Sequence, residues 1–507
     1  MHIHNLSKEW TSVPLFTDIS FSLSLGERLA LVGPNGTGKS TLLKILFGEI
    51  EKDSGIIDID SSDSMGYISQ DLENLPSLSV FEYIKNGINI KNKKKQSDWE
   101  LEKRIDIALI ALNLSLQKFS SIKNLSEGQK VKTLLASIVV FEPDIVLLDE
   151  PTNNIDRESV AWLGQYILQY KGKIILVSHD ETFIDLLATK LLIIDWRTKT
   201  AVVRSGNYGD HRKETERGIL NQDKIHTLQK ADIKNKREEA ENLKRKAEKG
   251  SRYRDSDHDK HIQGYYREKA SGSAKRAKAL ESQIGHIEII KKPKAKKELS
   301  IDIEAKNRGG LITVEKLSFG YTDFKVFCEF LSIPFGSRVL IIGSNGSGKS
   351  SFLKTLAKTV EPLSGTVEYS KGVTLGNFSQ DHSNFRGKET VMEYLSRECR
   401  ELSVTDIARL LESYQFEPSS LFNTLDELSS GQKARILFAI FSYQKVNTLF
   451  FDEPTNHLDI DAQDALLSVI KNFTGTLVVI SHDEKLIEEI FFDIVLSFEG
   501  GKIVKRR

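Results

Sequence analysis

At 507 residues the chain has room for two to four domains, each large enough to bury a core of its own. Its 71 basic and 71 acidic residues cancel, so total charge names no partner, and two cysteines, Cys328 and Cys399, exclude a disulfide framework and fit a reducing, cytoplasmic setting. No apolar run approaches the eighteen residues that a membrane helix requires, and the opening MHIHNLSKEW lacks the basic and apolar regions of a signal peptide.

The first element with chemistry is a short apolar strand, Arg28–Val32, that runs into GPNGTGKST, Gly33 to Thr41. A helical pattern follows, with Leu42, Leu43, Leu46 and Phe47. This is the G-x-x-x-x-G-K-[ST] pattern of a P-loop between a strand and a helix N-terminus. Unpaired backbone N–H groups and the positive end of the helix dipole suit phosphate there. Gly33, Asn35, Gly36, Gly38 and Thr41 form the cradle, Lys39 reaches the β/γ-phosphates, and the Ser40 hydroxyl holds Mg²⁺. The pattern returns at GSNGSGKSS after the strand Arg338–Ile342. There Gly343, Asn345, Gly346, Gly348 and Ser351 form the cradle, with Lys349 and Ser350 in the lysine and metal roles. The phosphates of a nucleotide and Mg²⁺ are therefore the expected ligands.

The second copy is one sign of a longer repeat. Lys39 and Lys349 are 310 positions apart, as are Gln70 and Gln380. Ser126 of LSEGQ and Ser429 of LSSGQ are 303 apart, as are Glu150 and Glu453, and His179 and His482. Two homologous modules follow, expected at 1–205 and 306–507. The first holds seven extra residues between Gln70 and Ser126, where Lys91–Gln96 (KNKKKQ) is the candidate insertion.

Two strands end in paired acids, Ile145–Glu150 and Thr448–Glu453. Asp149 or Asp452 suits Mg²⁺, and Glu150 or Glu453 suits the base that orients and deprotonates the attacking water. His179 and His482 follow the strands Ile174–Ser178 and Leu477–Ser481. A histidine at the C-terminal end of a strand in an open α/β sheet faces the ligand crevice, within reach of a γ-phosphate.

The stretch 206–305 differs in kind. From Asp210 to Ser300 there are 25 Lys and Arg against 16 Asp and Glu. Ala270, Ala274, Ala277, Leu280, Ile284 and Ile287 form one helical seam. Ile225, Leu228, Ile233, Ala240, Leu243 and Ala247 form a weaker one. Gly250–Gly264 reads as the loop of an antiparallel helical hairpin whose arm, at 1.5 Å per residue, reaches roughly 60 Å. His258 and His261 with Asp257 and Asp259 give only a weak metal pattern. Pro293 and the lysines around it mark the exit from the second helix.

Together these features resemble the ATP-binding-cassette ATPases, over about four-fifths of the chain. The diagnostic motif is LSxGQ, Leu125–Gln129 and Leu428–Gln432. In that family it contacts the γ-phosphate of ATP bound to the opposite module. The resemblance implies an α/β fold of two tandem cassettes joined by a helical hairpin, paired head to tail within a monomer. One site would combine Lys39, Ser40, Gln70, Asp149, Glu150 and His179 with Ser429 and Gly431. The other would combine Lys349, Ser350, Gln380, Asp452, Glu453 and His482 with Ser126 and Gly128. Gln70 and Gln380 would also approach Mg²⁺, and Trp10 and Tyr321 would stack on adenine. Within the superfamily the chain resembles the ABC-F class, tandem cassettes without a membrane domain that bind the ribosome. Glu453–Asp459 (EPTNHLD) fits the class pattern; the first copy departs from it with Asn154 in place of histidine. The implied function is ATP hydrolysis that modulates translation or dislodges ribosome-targeting antibiotics, with 206–305 contacting ribosomal and transfer RNA. The alternative is the ATP-binding subunit of a membrane exporter, which leaves the basic hairpin unexplained.

Overall fold

A computed structural model describes the chain apart from residues 11–12, 73, 94–96, 154, 252–259, 288–309, 322–323, 345, 379–384, 386, 415, 417, 457 and 507. Two compact units emerge, Met1–Tyr208 with Glu298–Arg507, and Gly209–Lys297.

In the first module the described residues form a seven-stranded sheet. Its order is Ala201–Ser205, Lys190–Ile194, Arg28–Val32, Lys173–Val177, Ile145–Asp149, Met65–Ile68, Ile90–Lys91. The inner five strands run parallel and the two outer pairings are antiparallel. Ile145–Asp149 and Lys173–Val177 are buried at every position, as apolar parallel strands covered on both faces should be. Alternation along Arg28–Val32 feeds two cores. Leu29 and Leu31 pack with Phe16, Leu42 and Leu43 on one face, and Ala30 and Val32 pack with Ile68, Leu135 and Leu148 on the other. Full burial of each such leucine contributes about 1.5–3 kcal/mol.

The second module repeats the arrangement, with Arg338–Gly343 between Ile494–Glu499 and Thr476–Ile480, followed by Thr448–Asp452 and Leu375–Phe378. Parallel register aligns the strand ends: Leu31 lies opposite Val177, and Asp149 opposite Val177; Asp452 lies opposite Ile480. The P-loop, the paired acids and the histidine of each module therefore leave the sheet at one edge, where open α/β sheets bind ligands.

Part of the KNKKKQ insertion is structured. Ile90–Lys91 pairs with the sheet edge, and Lys91 Nζ donates to the Phe47 carbonyl and stands 4.4 Å from that ring's centroid. Residues 94–96 lie outside the described residues.

Nearly all the described residues of Gly209–Lys297 are helical. Helices Tyr208–Ser251 and Lys260–Gly285 leave a shorter connection than the expected loop Gly250–Gly264. A helix interior accepts Gly264 at a cost of about 1 kcal/mol, which neighbouring helical hydrogen bonds offset. The seam also differs from expectation. Ala240, Ala270 and Ala277 are buried, whereas Ala274 is exposed and Ser273 is half-buried in its place. Positions 270, 273, 277, 280, 284 and 287 alternate steps of three and four, so geometry rather than apolarity selects the seam. Ile225 and Leu228 are exposed. Lys244 and Glu281 pair between the helices at 2.6 Å. Residues 252–259 of the expected loop, with Asp257, His258 and Asp259, lie outside the described residues, as do Pro293 and its lysines; Tyr265 is exposed. Among the described residues no helix is long and apolar enough to cross a membrane.

One turn is repeated with its strain. Asn5 has φ 48° in the strand His2–Trp10, where the register against Ser54–Asp58 shifts, and Gly55 opposite has φ 94°. A Cβ on Gly55 would lie 2.5 Å from the Asn5 carbonyl oxygen; at the counterpart Gly365 it would lie 2.3 Å from that of Lys316. Gly55→Ala is therefore expected to destabilise the first module by roughly 2–4 kcal/mol, through backbone strain plus a clash that no rotamer relieves. Urea unfolding of parent and variant measures this; an unchanged midpoint would show that the bulge yields freely.

Candidate functional site

Each P-loop ends at a glycine N-cap, Gly38 before Lys39–Phe47 and Gly348 before Lys349–Leu356, so no capping side chain competes for the helix's first N–H groups. Lys39 Nζ donates to the carbonyls of Gly33 (2.6 Å) and Pro34 (3.1 Å). Lys349 does the same to Gly343 (2.7 Å) and Ser344 (3.1 Å). Burial lowers the pKa of both lysines, against the raising effect of nearby carboxylates.

Of the residues expected to hold metal, the serine and the aspartate of each module are adjacent. Ser40 Oγ donates to Asp149 Oδ1 at 3.1 Å, and Ser350 Oγ to Asp452 Oδ1 at 3.0 Å. Burial pushes the Asp149 carboxyl up to about 6, although the Ser40 bond and the Lys39 charge oppose it. Tyr67 Oη adds a contact to Asp149 Oδ2 at 3.4 Å. A buried carboxylate beside a hydroxyl, short of positive charge, fits a hard divalent cation.

Glu150 and Glu453 take left-handed backbone, φ 52° and 46°, which turns each carboxyl away from the strand it ends. Glu150 is buried and Glu453 is partly so, and desolvation raises Glu150 to about 8 and Glu453 to about 7, the neighbouring aspartate adding to the effect. His179 lies at 3.2 Å from Glu150 through Nε2 and donates its backbone N–H to the same carboxyl; His482 repeats this at 3.6 Å from Glu453. His179 Nε2 is also 3.0 Å from Asn35 Oδ1.

The modules meet at these sites. A cavity of about 850 Å³ is lined by Ser126, Glu127 and Gly128 of the first module and by Gly346, Lys349, Ser350, Glu453 and His482 of the second. Ser126 and Ser429 cap helices Glu127–Phe141 and Ser430–Tyr443, each accepting from the N–H three residues on. On the other side of the interface the Asn35 N–H donates to Asp459 Oδ2 at 3.1 Å. Asp459 and its counterpart Asp156 were not singled out from the sequence. Each follows its glutamate by six positions in both copies, which is the signal that would have found them. Asp156 caps the helix after it and pairs with Lys132 at 2.7 Å. Burial alone would raise its carboxyl, but the bonds from Lys132 and Ser159 outweigh that and hold it at about 2.

Other expected residues are less engaged. Gln70 is exposed just beyond its strand, and Trp10 is half-exposed, with Lys8 Nζ 5.1 Å from its ring. Tyr321 pairs with Phe324 through its backbone, and its side chain lies outside the described residues, as do Asn345, Gln380 and Asn154.

Comparison with known proteins agrees with this architecture. The family described as ABC transporter matches residues 16–153 and 330–456. The probable ATP-binding protein YbiT of Escherichia coli O157:H7 is 28% identical over 98% of this chain and 97% of its own length. ATP-binding protein Uup of Buchnera aphidicola is 30% identical over 96% of this chain and 78% of its own, and ABC transporter F family member 2 of Arabidopsis thaliana is 27% identical over 99% and 77%. Among solved structures, the RNase-L Inhibitor superposes with a TM-score of 0.63 at 19% identity, covering 100% of this chain and 90% of its own. The archaeal ABCE1 in a model of its ribosome-bound complex with Pelota gives 0.61 at 17% identity, covering 99% and 78%. The chain belongs to the ABC transporter family, as a tandem-cassette ATPase of the ABC-F type.

Proposed function

We propose that this protein is a soluble, cytoplasmic, monomeric ATPase that engages the ribosome through its helical hairpin and uses ATP binding and hydrolysis to alter translation. The observation that carries the ribosomal part is the hairpin: two helices with a thin alanine seam and, from Asp210 to Ser300, a surplus of nine positive charges. That composition builds no independent core, but it suits a phosphate backbone, where released counterions drive binding. The ABCE1 relative is described as ribosome-bound, which supports the same direction. Dislodging a ribosome-targeting drug is the finer form of this reading.

For the chemistry, Lys39 and Lys349 exchange P-loop carbonyls for the β/γ-phosphates of ATP. Ser40 with Asp149, and Ser350 with Asp452, would hold Mg²⁺, which when bound neutralises charge on those phosphates. Glu150 and Glu453 accept the proton of the attacking water. A carboxyl raised toward neutral pH is matched to that task, since base strength and availability are then both adequate. His179 and His482 fix the glutamates and face the γ-phosphate. Ser126 with Gly128, and Ser429 with Gly431, close on the ATP of the opposite cassette. Asp156 and Asp459 complete the closure.

Replacing both bases, Glu150→Gln with Glu453→Gln, should preserve ATP binding and abolish most hydrolysis, so that the closed form accumulates. Turnover at the parent rate would remove these residues from the mechanism. The same variant has a pH signature. Both carboxyls sit near 7–8 in the fold and return to about 4.5 on unfolding. Between those values the folded chain keeps protons that the unfolded chain has lost, so their stabilising effect is full at acid pH and is lost as pH rises through 7 and 8. Nucleotide-free parent should therefore lose stability between pH 6 and 9 relative to the double variant, as urea titrations at both pH values would show.

The hairpin is tested separately. Replacing Arg252–Arg267 by a short Gly-Ser turn should leave ATP hydrolysis of the free protein near the parent rate. Ribosome co-sedimentation should weaken only partly, while any effect on translation or drug protection is lost. A tip-less protein with full translational effect would reduce the arm to a spacer.

A further inference from the structure

The helices that follow the two histidines meet across the cassette boundary, and they meet unequally. Lys485 lies in the first turn of Glu484–Glu489, three residues after His482. Its Nζ is 3.2 Å from Oε2 of Glu181, which opens the helix Glu181–Leu187 two residues after His179. The same ammonium is 2.9 Å from Oδ1 of Asp464, on the helix Ile460–Asn472 that Asp459 caps. All three side chains are less than a third exposed, at 29%, 21% and 29%. The repeat offset of 303 places Thr182 opposite Lys485 and Ala161 opposite Asp464, so the mirrored bridge cannot form.

The surroundings give the bridge its weight. Asp180, Glu181, Asp483 and Glu484 converge on the cavity between the cassettes, and Lys485 lines it with them. Burial pushes the Asp180 carboxyl up, with Asp483 and Glu484 of the other cassette contributing in the same direction. Two acidic helix starts face each other here, and a cation between them turns repulsion into attraction. An exposed ion pair contributes little, but one held by two carboxylates in a partly buried seam loses less to solvent.

We propose that Lys485 is a positioning residue that ties the His482 segment to the His179 segment, so that closure at one ATP site is transmitted to the other. The proposal rests on the two-site ATP sandwich described above. Any displacement of the His482 segment carries Lys485 with it, and Glu181 moves with the lysine or loses its partner. Asp464 sets the aim of the lysine and links it to the helix whose cap, Asp459, reaches Asn35. One side chain thus links the helix that follows one site's histidine to the helix that follows the other's.

The test uses the full chain and two readings, binding of a fluorescent ATP analogue and ATPase rate against ATP concentration. The parent should respond cooperatively. Lys485→Met should bring the Hill coefficient toward one and raise half-saturating ATP about five-fold, with maximal rate changed much less. Glu181→Gln should reproduce this, the double variant should be no worse than either single one, and Lys485→Arg should keep the parent behaviour. A non-cooperative parent overturns the proposal, as does Lys485→Met with parent-like cooperativity or additive losses in the double variant. Should Lys485→Met fold poorly by circular dichroism, Glu181→Gln and Lys485→Arg carry the same decision. Failure of the parent to bind the analogue at all would instead overturn the ATP-sandwich reading.

Discussion

Each P-loop lysine sits in a field made by both halves of the chain. Lys39 is buried, which lowers its pKa, and Glu150, Asp459 of the other cassette and Asp149 work in the opposite direction. Lys349 is treated alike by Glu453, Asp452 and Asp156 of the other cassette. A lysine in this position cannot be understood from its own cassette. The opposite aspartate compensates part of the desolvation, and withdrawing it on cassette separation would leave the ammonium facing only its own carboxylates. The electrostatics of nucleotide binding and the contact between cassettes are for this reason one problem. Phosphate enters a site where positive charge is already balanced, so it must displace carboxylate influence as well as loop carbonyls.

The sheets make that coupling possible. Parallel register sends the P-loop, the paired acids and the histidine out of one edge, and fully buried strands hold that edge rigid. The strained φ of Glu150 and Glu453 is affordable only on such a base. Where the backbone leaves the strand, the left-handed turn directs the carboxyl beneath the histidine instead of along the strand.

The modules, their apolar strands and the cradle residues were legible in the sequence because each is a local pattern, written twice. Lys39, Ser40, Asp149 and Glu150 needed only spacing and chain order. Asp156 and Asp459 were not, because an aspartate before a helix already has a sufficient local explanation as a cap, and indeed caps one here. Their second contact lies more than 400 residues away in the case of Asn35 and Asp459, beyond any local pattern. The hairpin shows the opposite limit. Its helices were legible, but its seam was assigned by apolarity, which chose Ala274 over Ser273 and included Ile225 and Leu228. In a segment this poor in aliphatic residues, the three-four spacing carries more information than the residue type.

The repeat also makes departures from symmetry informative. Where both copies agree, as in Ser40–Asp149 and Ser350–Asp452, duplication explains the agreement and function explains its retention in shape. Where they differ, each copy is free to do something the other does not. Tyr67 touches the Asp149 carboxyl, while the offset of 310 puts Asn377 in its place. Lys485 has no basic counterpart at all. These differences fall around the two sites. Two cassettes with the same chemistry and unlike supports need not close or release together, and a side chain that spans both histidine segments is then the means by which unequal sites act as one machine.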